Sequence, residues 1–520
     1  MKPKLLFLCF LVFSAATFSA RAQLSSRQID SLSEKVLKTF DVPGIAVAVI
    51  KDGKLIHSKG YGLRSLKTKE PVNEHTLFGI ASNSKAFTAA ALGMMVDEGK
   101  LSWDDKVVDL IPDFKLYNPY VTQEFTVRDL LTHRSGLGLG AGDLMIWPDS
   151  GSVTKTELIH NLHYLKPVSA FRTKYDYDNL LYVVAGEVLA KVSGMSWEDF
   201  IEKRIMQPLG MSESAAAYLR LKSDKNTIDA HAPVNGKVEV IGKNFTQIAN
   251  AAGGIWSNLE DMSKWAIMQM NNGKYGSQQE KSLFSEKAHR EMWSPQTIIR
   301  GSSPYNTHFS SYGLGWFLSD VKGYFQATHT GGLGGIVTQV TLIPELKLGI
   351  IVLTNQQSGA AFNAVTNSIK DSYFGIKGKD RIGQYRENEL KNQREADQIT
   401  NKVWADIAAA QKKTKDKPDL NNYTGTFADP WFGKVTITDK NGVLWFQSVK
   451  SPKLCGTLSF YKGNTFIAKW KDRSMDADAY LLFSLDKDGK AWGLKMEAIS
   501  PLTDFSYDFQ DLDFTRSEKE

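Results

Sequence analysis

The stretch LFGIASNSKAFTAAAL, from Leu77 to Leu92, sets Ser82 and Lys85 at the start of a long apolar run that ends at Gly99. An apolar run of this length predicts a helix. Three residues make nearly one helical turn, so the serine and lysine side chains are expected on one face of that helix. The stretch therefore predicts a lysine buried beside a serine.

A lysine in such a position is a candidate proton acceptor. Burial disfavours the charged form of Lys85 and lowers its pKa. Ser82 would then be activated as a nucleophile, with its backbone N–H at a helix N-terminus, where it can stabilise an oxyanion. Ser84 is the nearest alternative, because its hydroxyl could simply cap the helix. The same Ser-x-x-Lys spacing recurs, without a long apolar helix after it, at Ser152, Ser319, Ser459 and Ser484.

The chain on either side of the helical middle has strand character. GIAVAVIKDGKLIHSKGYG predicts two strands joined by a turn at Asp52-Gly53. Helical patterns dominate from Ser82 to about Arg220, and THTGGLGGIVTQVTLIP and LGIIVLTN predict later strands. Strands at both ends of a domain with helices between them indicate an α+β fold, in which an antiparallel sheet is packed by helices and the two ends meet in space.

Two later segments add polar groups suited to acyl transfer. Tyr177-Asp178-Asn179 stands ahead of the apolar helix pattern LLYVVAGEVLAKVSG, and a strand carries the run HTGG, residues 329–332, into a glycine-rich bend. A tyrosine near a lysine ammonium can share its proton, and a Gly-Gly edge lets a backbone N–H approach a substrate carbonyl. Nucleophile, proton carriers and carbonyl donors are the parts that acyl transfer needs.

The ordered motifs Ser82-x-x-Lys85, Tyr177-x-Asn179 and His329-Thr330-Gly331 resemble those of the penicillin-recognising serine hydrolases. This family includes class C β-lactamases, D,D-peptidases, D-aminopeptidases and related esterases. The likeness extends from about Gln28 to Gly375. Three further stretches share it: TVRDLLTHRSGLG (126–138), IEKRIMQPLGM (201–211) and AAGGIWSNLEDMSKW (251–265). The resemblance implies the β-lactamase/D,D-peptidase fold.

The resemblance also implies roles for the residues of the first two motifs. Ser82 would be the nucleophile, Lys85 and Tyr177 would serve the proton transfers, and Asn179 would hold the amide of the substrate. Which of Lys85 and Tyr177 is the general base stays open, because two coupled groups titrate together. No metal and no organic cofactor is implied.

The third motif would form the substrate side of the cleft. By the resemblance, His329, Thr330 and Gly331 line the strand that pairs with the substrate, and the backbone N–H groups of Ser82 and Gly332 form the oxyanion hole. His329 stands where β-lactamases and most D,D-peptidases carry lysine. A permanent cation for a substrate carboxylate is then missing, so efficient β-lactam turnover is not expected. Histidine at this position is more familiar in the esterase-like and aminopeptidase-like branches.

The last hundred residues have a different texture. From Tyr423 onward, short alternating strands are separated by Asn-Gly, Gly-Asn and Asp-Gly turns, which predicts a small all-β barrel or sandwich. FRTKYDYDN, in place of a Pro-Gly turn, resembles the branch whose C-terminal domain is lipocalin-like. We expect the following aromatic residues in the barrel core: Trp445, Phe446, Trp470 and Trp492.

These patterns divide the chain into a serine hydrolase domain at 23–377, a helical linker at 378–417 and a barrel at 418–520. The charged segment 378–417 is equally compatible with a solvated final helix of the first domain. A length of 520 residues also indicates more than one domain.

The N-terminal residues MKPKLLFLCFLVFSAATFSARAQ predict a secretory signal, residues 1–22, cut before Gln23. The alternative is a membrane anchor, although the apolar run is shorter than the ~20 residues that a bilayer requires. The mature protein is therefore expected in the periplasm or secreted, with no integral membrane span. Cys9 would leave with the signal and Cys455 has no partner, so no disulfide is expected.

The composition limits the partners. Hydrophobic residues make up 42% and charged residues 23% of the chain, which excludes a multi-span membrane protein. The net charge of +6 is not the signature of a nucleic-acid-binding protein. His160 and His163 lie one turn apart and could clamp a metal, but a half-buried helix face is the favoured interpretation. His133 is interpreted as a loop-packing residue.

The sequence thus predicts an exported serine hydrolase that cleaves an amide, ester or lactam bond through an acyl-enzyme on Ser82. Its partner would be a small-molecule or peptide substrate, including peptides with D-residues, rather than a β-lactam, and a homo-oligomer is left open. The alternative is a slow, penicillin-binding-like sensor or a protein that binds peptidoglycan fragments. A carbohydrate- or lipid-binding role for the tail is a third hypothesis.

Overall fold

The computed structural model describes residues 23–149, 151–243, 247–301, 303–412 and 418–517. The predicted signal, residues 1–22, and the end of the predicted linker, 413–417, lie outside the described residues. Over the described ranges, no single helix has the length and apolar character needed to cross a bilayer. One bent helix pair, Leu180–Ser193 with Trp197–Leu209, meets those criteria only when its two parts are taken together.

Fourteen α-helices are found in the described ranges: α1 Ser26–Phe40, α2 Ser84–Asp97, α3 Val107–Leu110, α4 Pro119–Glu124, α5 Val127–Leu130, α6 Lys155–Asn161, α7 Leu180–Ser193, α8 Trp197–Phe200, α9 Gln207–Leu209, α10 Asn250–Gly253, α11 Leu259–Met270, α12 Glu286–Met292, α13 Gly359–Phe374 and α14 Arg381–Gln411.

The described strands before α13 are β1 Gly44–Lys51, β2 Lys54–Gly62, β3 Phe78–Gly79, β4 Ala230–Val234, β5 Lys237–Ile241, β6 Trp256–Ser257, β7 Lys274–Tyr275, β8 Lys281–Ser282, β9 Thr297–Ile299, β10 Ser310–Tyr312, β11 Phe317–Val321, β12 Tyr324–Leu333, β13 Ile336–Ile343 and β14 Leu348–Thr354. The strands after α14 are β15 Gly425–Asp429, β16 Gly433–Asp439, β17 Leu444–Ser448, β18 Cys455–Lys462, β19 Thr465–Trp470, β20 Ala479–Leu485, β21 Ala491–Ala498 and β22 Phe514–Arg516.

An eight-stranded antiparallel sheet forms the centre of the first domain, in the order β2-β1-β14-β13-β12-β11-β10-β9. The first strand of the chain pairs with the last strand of the sheet, with Ile45 opposite Thr354. The expected meeting of the two ends is confirmed. The β1–β2 hairpin turns at Asp52 and Gly53, whose φ angles of 52° and 73° suit the Asp-Gly turn that was predicted.

Helices cover both faces of this sheet, so β1 is buried on both sides. Its alternate residues face opposite layers, because successive side chains of a strand point to opposite faces. Ile45 and Val47 belong to the core beneath α1 and α13, whereas Ala46 and Ala48 belong to the core that contains α2 and α7. This arrangement confirms the predicted α+β fold.

Helix α2 carries the predicted nucleophile motif and lies in the centre of the helical layer. Every residue from Ser84 to Met95 is buried. A helix that is apolar all round belongs inside a protein. Gly315 lets a neighbouring loop approach the backbone of this helix, because a Cβ there would lie 2.8 Å from the carbonyl oxygen of Lys85.

The C-terminal domain is a closed antiparallel barrel of eight strands, β15 to β22, which confirms the predicted all-β architecture. Phe446 and Trp470 are buried in its core. Trp492 is 51% exposed and Trp445 is half-buried, so placing these two in the core was wrong. Strand alternation turns them outward, where Lys440 Nζ lies 4.2 Å from the Trp445 ring centroid.

Helix α14 reaches from one domain to the other. Near its first turn, Ile382 packs in the core under α1 and α13. In its last turns, Val403 and Ile407 pack against Ile467 and Ile499 of the barrel. The helix therefore fixes the barrel beside the sheet domain.

Candidate active site

Ser82 lies in a single 3-10 turn, Ala81–Asn83, that runs directly into α2. Ala81 has φ of 50°, a left-handed conformation that is uncommon for a residue with a Cβ. The Thr338 hydroxyl donates to the Ile80 carbonyl at 3.0 Å and ties this turn to β13. The chain is therefore sharply bent just before Ser82, and the hydrogen bond from Thr338 holds the bend in place.

Lys85 is fully buried, and its Nζ contacts three acceptors. These are Ser82 Oγ at 3.1 Å, Asn179 Oδ1 at 2.7 Å and the carbonyl oxygen of Ala252 at 3.0 Å. Burial lowers the pKa of Lys85 to about 7, although the charges of nearby carboxylates oppose the shift. In its neutral form the amine can donate to Asn179 and Ala252 and still direct a lone pair at Ser82.

Tyr177 lies beside both members of this pair. Lys85 Nζ is 4.8 Å from the centroid of the Tyr177 ring. Burial raises the pKa of Tyr177 well above its ordinary value, and an interaction with Ser82 offsets part of that rise. The phenol is therefore protonated at neutral pH, which leaves Lys85 as the group that can be a free base.

Asn179 precedes the first residue of α7, where its side chain does not cap the helix. Its Oδ1 accepts from Lys85, and its Nδ2 donates to Asp143 Oδ2 at 2.8 Å. Both ends of the amide are thus held by protein groups in this structure. Because a nitrogen bound to Asp143 cannot face the lysine, this arrangement fixes which end of Asn179 faces Lys85.

Residues 329–333, at the end of β12, form a part of the cleft wall that belongs to the sheet. β12 pairs with β11 only as far as Thr328, and beyond that point it pairs with β13 alone among the described strands. A Cβ on Gly331 would lie 2.2 Å from the Ile80 carbonyl oxygen, so only glycine permits this contact with the Ser82 turn. Thr330 and Gly332 are exposed, and a Cβ on Gly332 would meet nothing within 4 Å.

His329 of β12 is buried and lines the cleft. Its Nε2 is 2.8 Å from the Tyr312 hydroxyl, and its ring centroid is 5.1 Å from that of Phe317. Burial, together with the charge of Lys85, lowers the pKa of His329 to about 3. The imidazole is therefore neutral and supplies no cation. Tyr312 was not predicted as a site residue, since nothing in its local sequence pattern marks it.

His133 supports Tyr177 from behind. Its ring centroid lies 4.2 Å from that of Tyr177, and its Nδ1 accepts from the backbone N–H of Asp178 at 3.1 Å. Its interpretation as a packing residue agrees with these contacts.

Asp143 is a second site residue that was not predicted. This carboxyl is fully buried, and Asp143 Oδ2 accepts from Asn179 Nδ2 and from Ser506 Oγ, each at 2.8 Å. Burial raises its pKa to about 8. An acidic residue directly ahead of the apolar run LMIW, residues 144–147, was the only local signal. Ser506 belongs to the barrel, far away in the sequence.

Ser82, Tyr177, Asn179 and His329 line a cavity of about 680 Å³ between the two domains. Aromatic residues make up much of its wall: Trp147, Tyr175, Tyr218, Trp256, Phe317 and Phe505. The barrel contributes a further set: Asp472, Asp476, Asp504, Phe505, Ser506 and Tyr507. Lys453 is the one lysine or arginine among the described lining residues.

The remaining candidates lie elsewhere. Ser84 does not cap α2, because its Oγ accepts from the backbone N–H of Ile255 at 3.2 Å. His160 is exposed, and its ring centroid lies 4.8 Å from that of His163. The described residues hold one group of side chains close enough to share a metal ion, formed by His75, Glu213 and Glu260 at the surface.

Fold and site together define a serine hydrolase of the β-lactamase type. The family model described as Beta-lactamase matches residues 29–372, and the chain belongs to that family. A second model, described as a domain of unknown function (DUF3471), matches residues 409–516.

Curated relatives support the assignment as a hydrolase. Unguisins hydrolase ungD' of Aspergillus campestris is 27% identical over 428 residues, which cover 78% of this chain and 77% of the relative. Unguisins hydrolase ungD of Aspergillus violaceofuscus is 30% identical and covers 67% of this chain and 64% of the relative. Protein flp of Staphylococcus aureus is 27% identical, with 64% of each chain covered.

Solved structures share the fold. The octameric penicillin-binding protein homologue from Pyrococcus abyssi has a TM-score of 0.60 at 21% identity, covering 95% of this chain and all of that chain. A class C β-lactamase has a TM-score of 0.54 at 23% identity, and the match covers 68% of this chain and 96% of the β-lactamase chain. The smaller coverage by the class C β-lactamase corresponds to the sheet domain without the barrel, since the sheet domain alone makes up about two thirds of this chain.

Proposed function

We propose that the protein cleaves amide or ester bonds of peptide-like substrates through an acyl-enzyme on Ser82. The observation that carries this proposal is the 3.1 Å contact between Ser82 Oγ and the buried Lys85 Nζ. An amine with a pKa near 7 is half deprotonated at neutral pH, which is close to ideal for a general base.

In the first step, neutral Lys85 takes the hydroxyl proton of Ser82 while Oγ bonds to the carbonyl carbon of the substrate. The carbonyl electron pair moves to its oxygen, which accepts from the backbone N–H groups of Ser82 and Gly332. When the intermediate collapses, the bond to the leaving amine or alcohol breaks. Tyr177 gives the leaving group a proton and regains one from the Lys85 ammonium. Water then attacks the acyl-enzyme by the same route, releases the acid and restores Ser82.

The cleft favours substrates without a free carboxylate near the scissile bond. His329 is neutral, and the barrel side of the cleft carries Asp472, Asp476 and Asp504. Against these three acidic residues the described lining residues of the barrel include a single lysine, Lys453, so a substrate carboxylate is less favoured there than an amide, an ester or an amine. Peptides and amino-acid derivatives, including those with D-residues, therefore suit the site better than β-lactams.

The names of the relatives agree with turnover rather than binding alone, since two of them are named as hydrolases of unguisins. The N-terminal sequence supports export to the periplasm or beyond the cell. A structural neighbour described as octameric makes the oligomeric state of this protein worth measuring.

The decisive experiment is mass spectrometry of the full chain after exposure to a fluorophosphonate probe. We expect an adduct on Ser82, no adduct in Ser82→Ala, and a normal adduct in Ser152→Ala. Ser152 is a matched control, because it begins the same Ser-x-x-Lys spacing at an exposed position.

Substrate turnover should be measured in parallel with nitrocefin, a p-nitrophenyl ester and a D-alanine p-nitroanilide. Many turnovers of the ester or the anilide, with little of nitrocefin, support the proposal. A single labelling event without turnover of any substrate would favour the slow sensor. Absence of both labelling and turnover would overturn the assignment of Ser82.

A further inference from the structure

We propose that Ser506 of the barrel is a positioning residue for Lys85, acting through Asp143 and Asn179, so that the catalytic site is complete only with the barrel in place. This inference rests on the proposed function. It assigns a catalytic purpose to a domain whose matching family model is described as of unknown function.

A continuous chain of hydrogen bonds connects the barrel to the lysine. Ser506 Oγ donates to Asp143 Oδ2 at 2.8 Å, and Asn179 Nδ2 donates to the same oxygen at 2.8 Å. Lys85 Nζ donates to Asn179 Oδ1 at 2.7 Å. Since one carboxyl oxygen of Asp143 receives both donors, a movement of Asp143 changes where the Asn179 amide can hold the lysine.

The barrel also holds the turn that carries Asp143. Asp508 is fully buried, and its two oxygens accept the backbone N–H groups of Gly142, at 2.6 Å, and Leu144, at 3.0 Å. Gly142 and Leu144 lie on either side of Asp143. The barrel therefore hydrogen-bonds both to the backbone around Asp143 and to the Asp143 side chain. Two buried carboxyls from different domains thus meet at this point, and burial raises the pKa of both.

Phe505 completes the contact on the cleft side. A Cβ on Gly140, whose φ is 70°, would lie 2.5 Å from the Phe505 carbonyl oxygen, so the barrel segment and this turn touch backbone to backbone. The Gly140 backbone N–H donates to the Tyr177 carbonyl at 2.8 Å. The Phe505 ring centroid lies 5.8 Å from that of Tyr177, edge to face. Segment 505–508 therefore supports the turn that carries Asp143 and packs against Tyr177.

We call the hydrogen-bond chain from Ser506 through Asp143 and Asn179 to Lys85 the relay. The relay should change the pKa of Lys85, which simple packing of the barrel would not do. The hydroxyl of Ser506 favours the ionised form of Asp143, and an ionised Asp143 favours protonated Lys85. Loss of that hydroxyl should therefore lower the pKa of Lys85. The other titratable groups that face the lysine stay in place in such a variant: Asp178, Tyr177, Tyr182, His133 and His329.

The test compares Ser506→Ala and Ser506→Thr with Ser484→Ala, a control at an exposed position on β20 of the same barrel. The measurements on the full chain are the rate of Ser82 labelling by a fluorophosphonate, kcat and KM for a p-nitrophenyl ester, and the pH profile of kcat/KM. For Ser506→Ala we expect labelling and kcat to fall about tenfold or more, because small displacements of catalytic groups are costly. KM should change by less than about twofold. The acid limb should move to lower pH, and Ser506→Thr should restore most of the rate.

Three outcomes would overturn the inference: wild-type behaviour of Ser506→Ala, an increase in KM with kcat unchanged, or a loss of rate with an unmoved acid limb. If Ser506→Ala does not fold, Asp143→Asn and Asp143→Leu replace it. The asparagine keeps an oxygen for both donors and should retain most of the labelling rate, whereas the leucine should lose it. Equal rates in these two variants would also contradict the relay.

The control for the underlying proposal is the wild-type chain. Failure of the wild type to label at Ser82 would overturn the proposed function itself. Normal wild-type labelling with an unaffected Ser506→Ala variant would overturn only the role of the barrel.

Discussion

Lys85 Nζ lies 3.1 Å from Ser82 Oγ and 2.7 Å from Asn179 Oδ1, with the whole lysine side chain buried. The charged form of the amine has no water to stabilise it, and its pKa falls to about 7. The neighbouring carboxyls, whose own pKa values are raised by burial, compensate only in part. The same lysine at a protein surface would remain protonated and could not act as a base.

The first prediction concerns pH. Because protonated Lys85 cannot accept the Ser82 proton, kcat/KM for an ester should rise with pH and level off above an acid limb near pH 7. Lys85→Arg should abolish both turnover and labelling, since a guanidinium stays charged. Lys100→Arg, at an exposed position, serves as the control. A pH profile of kcat/KM with no inflection near pH 7 would contradict the assignment of Lys85 as the base.

The second prediction concerns Tyr177. Tyr177→Phe removes the hydroxyl but keeps the ring beside Lys85 and His133. We expect kcat to fall about 10²-fold to 10⁴-fold, the range typical of a lost acid or base, with little change in the melting temperature. Tyr120→Phe, where the tyrosine is 71% exposed, should match the wild type. Retention of more than about a third of kcat in Tyr177→Phe would show that the leaving group takes its proton elsewhere.

The third prediction uses two adjacent glycines as a matched pair. A Cβ on Gly331 would lie 2.2 Å from a backbone oxygen of the Ser82 turn, whereas a Cβ on Gly332 would project into open space. Gly331→Ala should therefore destabilise the protein by about 1 to 3 kcal/mol, as overpacking does, and slow the labelling of Ser82. Gly332→Ala should leave the free energy of unfolding unchanged. Chemical denaturation of both variants would decide, and equal stabilities would contradict the described contact.

The fourth prediction concerns stability and pH. The pKa of Asp143 is about 8 in the folded state and about 4 in the unfolded chain, so the folded state binds more protons between these values. This carboxyl therefore lowers the free energy of unfolding as pH rises from about 4 to about 8. Asp178 has the same sign, whereas Lys85, with its lowered pKa, has the opposite sign above pH 7.

Asp143→Asn removes one titrating group while keeping a hydrogen-bond acceptor. As pH rises from about 5 to about 7, the free energy of unfolding of the wild type should therefore fall relative to that of the variant. Urea denaturation at both pH values measures the difference, with Asp113→Asn, at an exposed position, as the control. A variant with the wild-type pH dependence would show that Asp143 is not protonated in the folded state.

Much of the fold could be predicted because its signals are local. The apolar run of β1, the Asp-Gly turn that follows it and the apolar run of α2 indicate their structures directly. The barrel was predicted from its short strands and turns, but alternation placed Trp492 outside it, since hydrophobic character alone does not tell which face of a strand is buried.

The site divides in the same way. Ser82, Lys85, Tyr177, Asn179 and His329 belong to short ordered motifs, so their residue types and spacing are enough to mark them as candidates. The fold brings four of them to the wall of one cavity and buries Lys85 against Ser82. Asp143, Tyr312 and Ser506 carry no motif. Ser506 contacts Asp143 across 363 positions of the sequence, a separation over which local patterns carry no information.

The sequence by itself therefore determined the class of fold, the ordered polar motifs and the β-rich tail, because helix and strand periodicity and Ser-x-x-Lys spacing act over one or two turns. The lowered pKa of Lys85 was expected from its apolar helix, but only the tertiary structure decided the ionisation of His329 and Asp143. Burial leaves Lys85 and His329 without water, and the packing of the barrel against the loop at Gly140 brings Asp508 and Ser506 to Asp143. Desolvation and long-range hydrogen bonds depend on which surfaces meet, and that is set by the packing of whole domains.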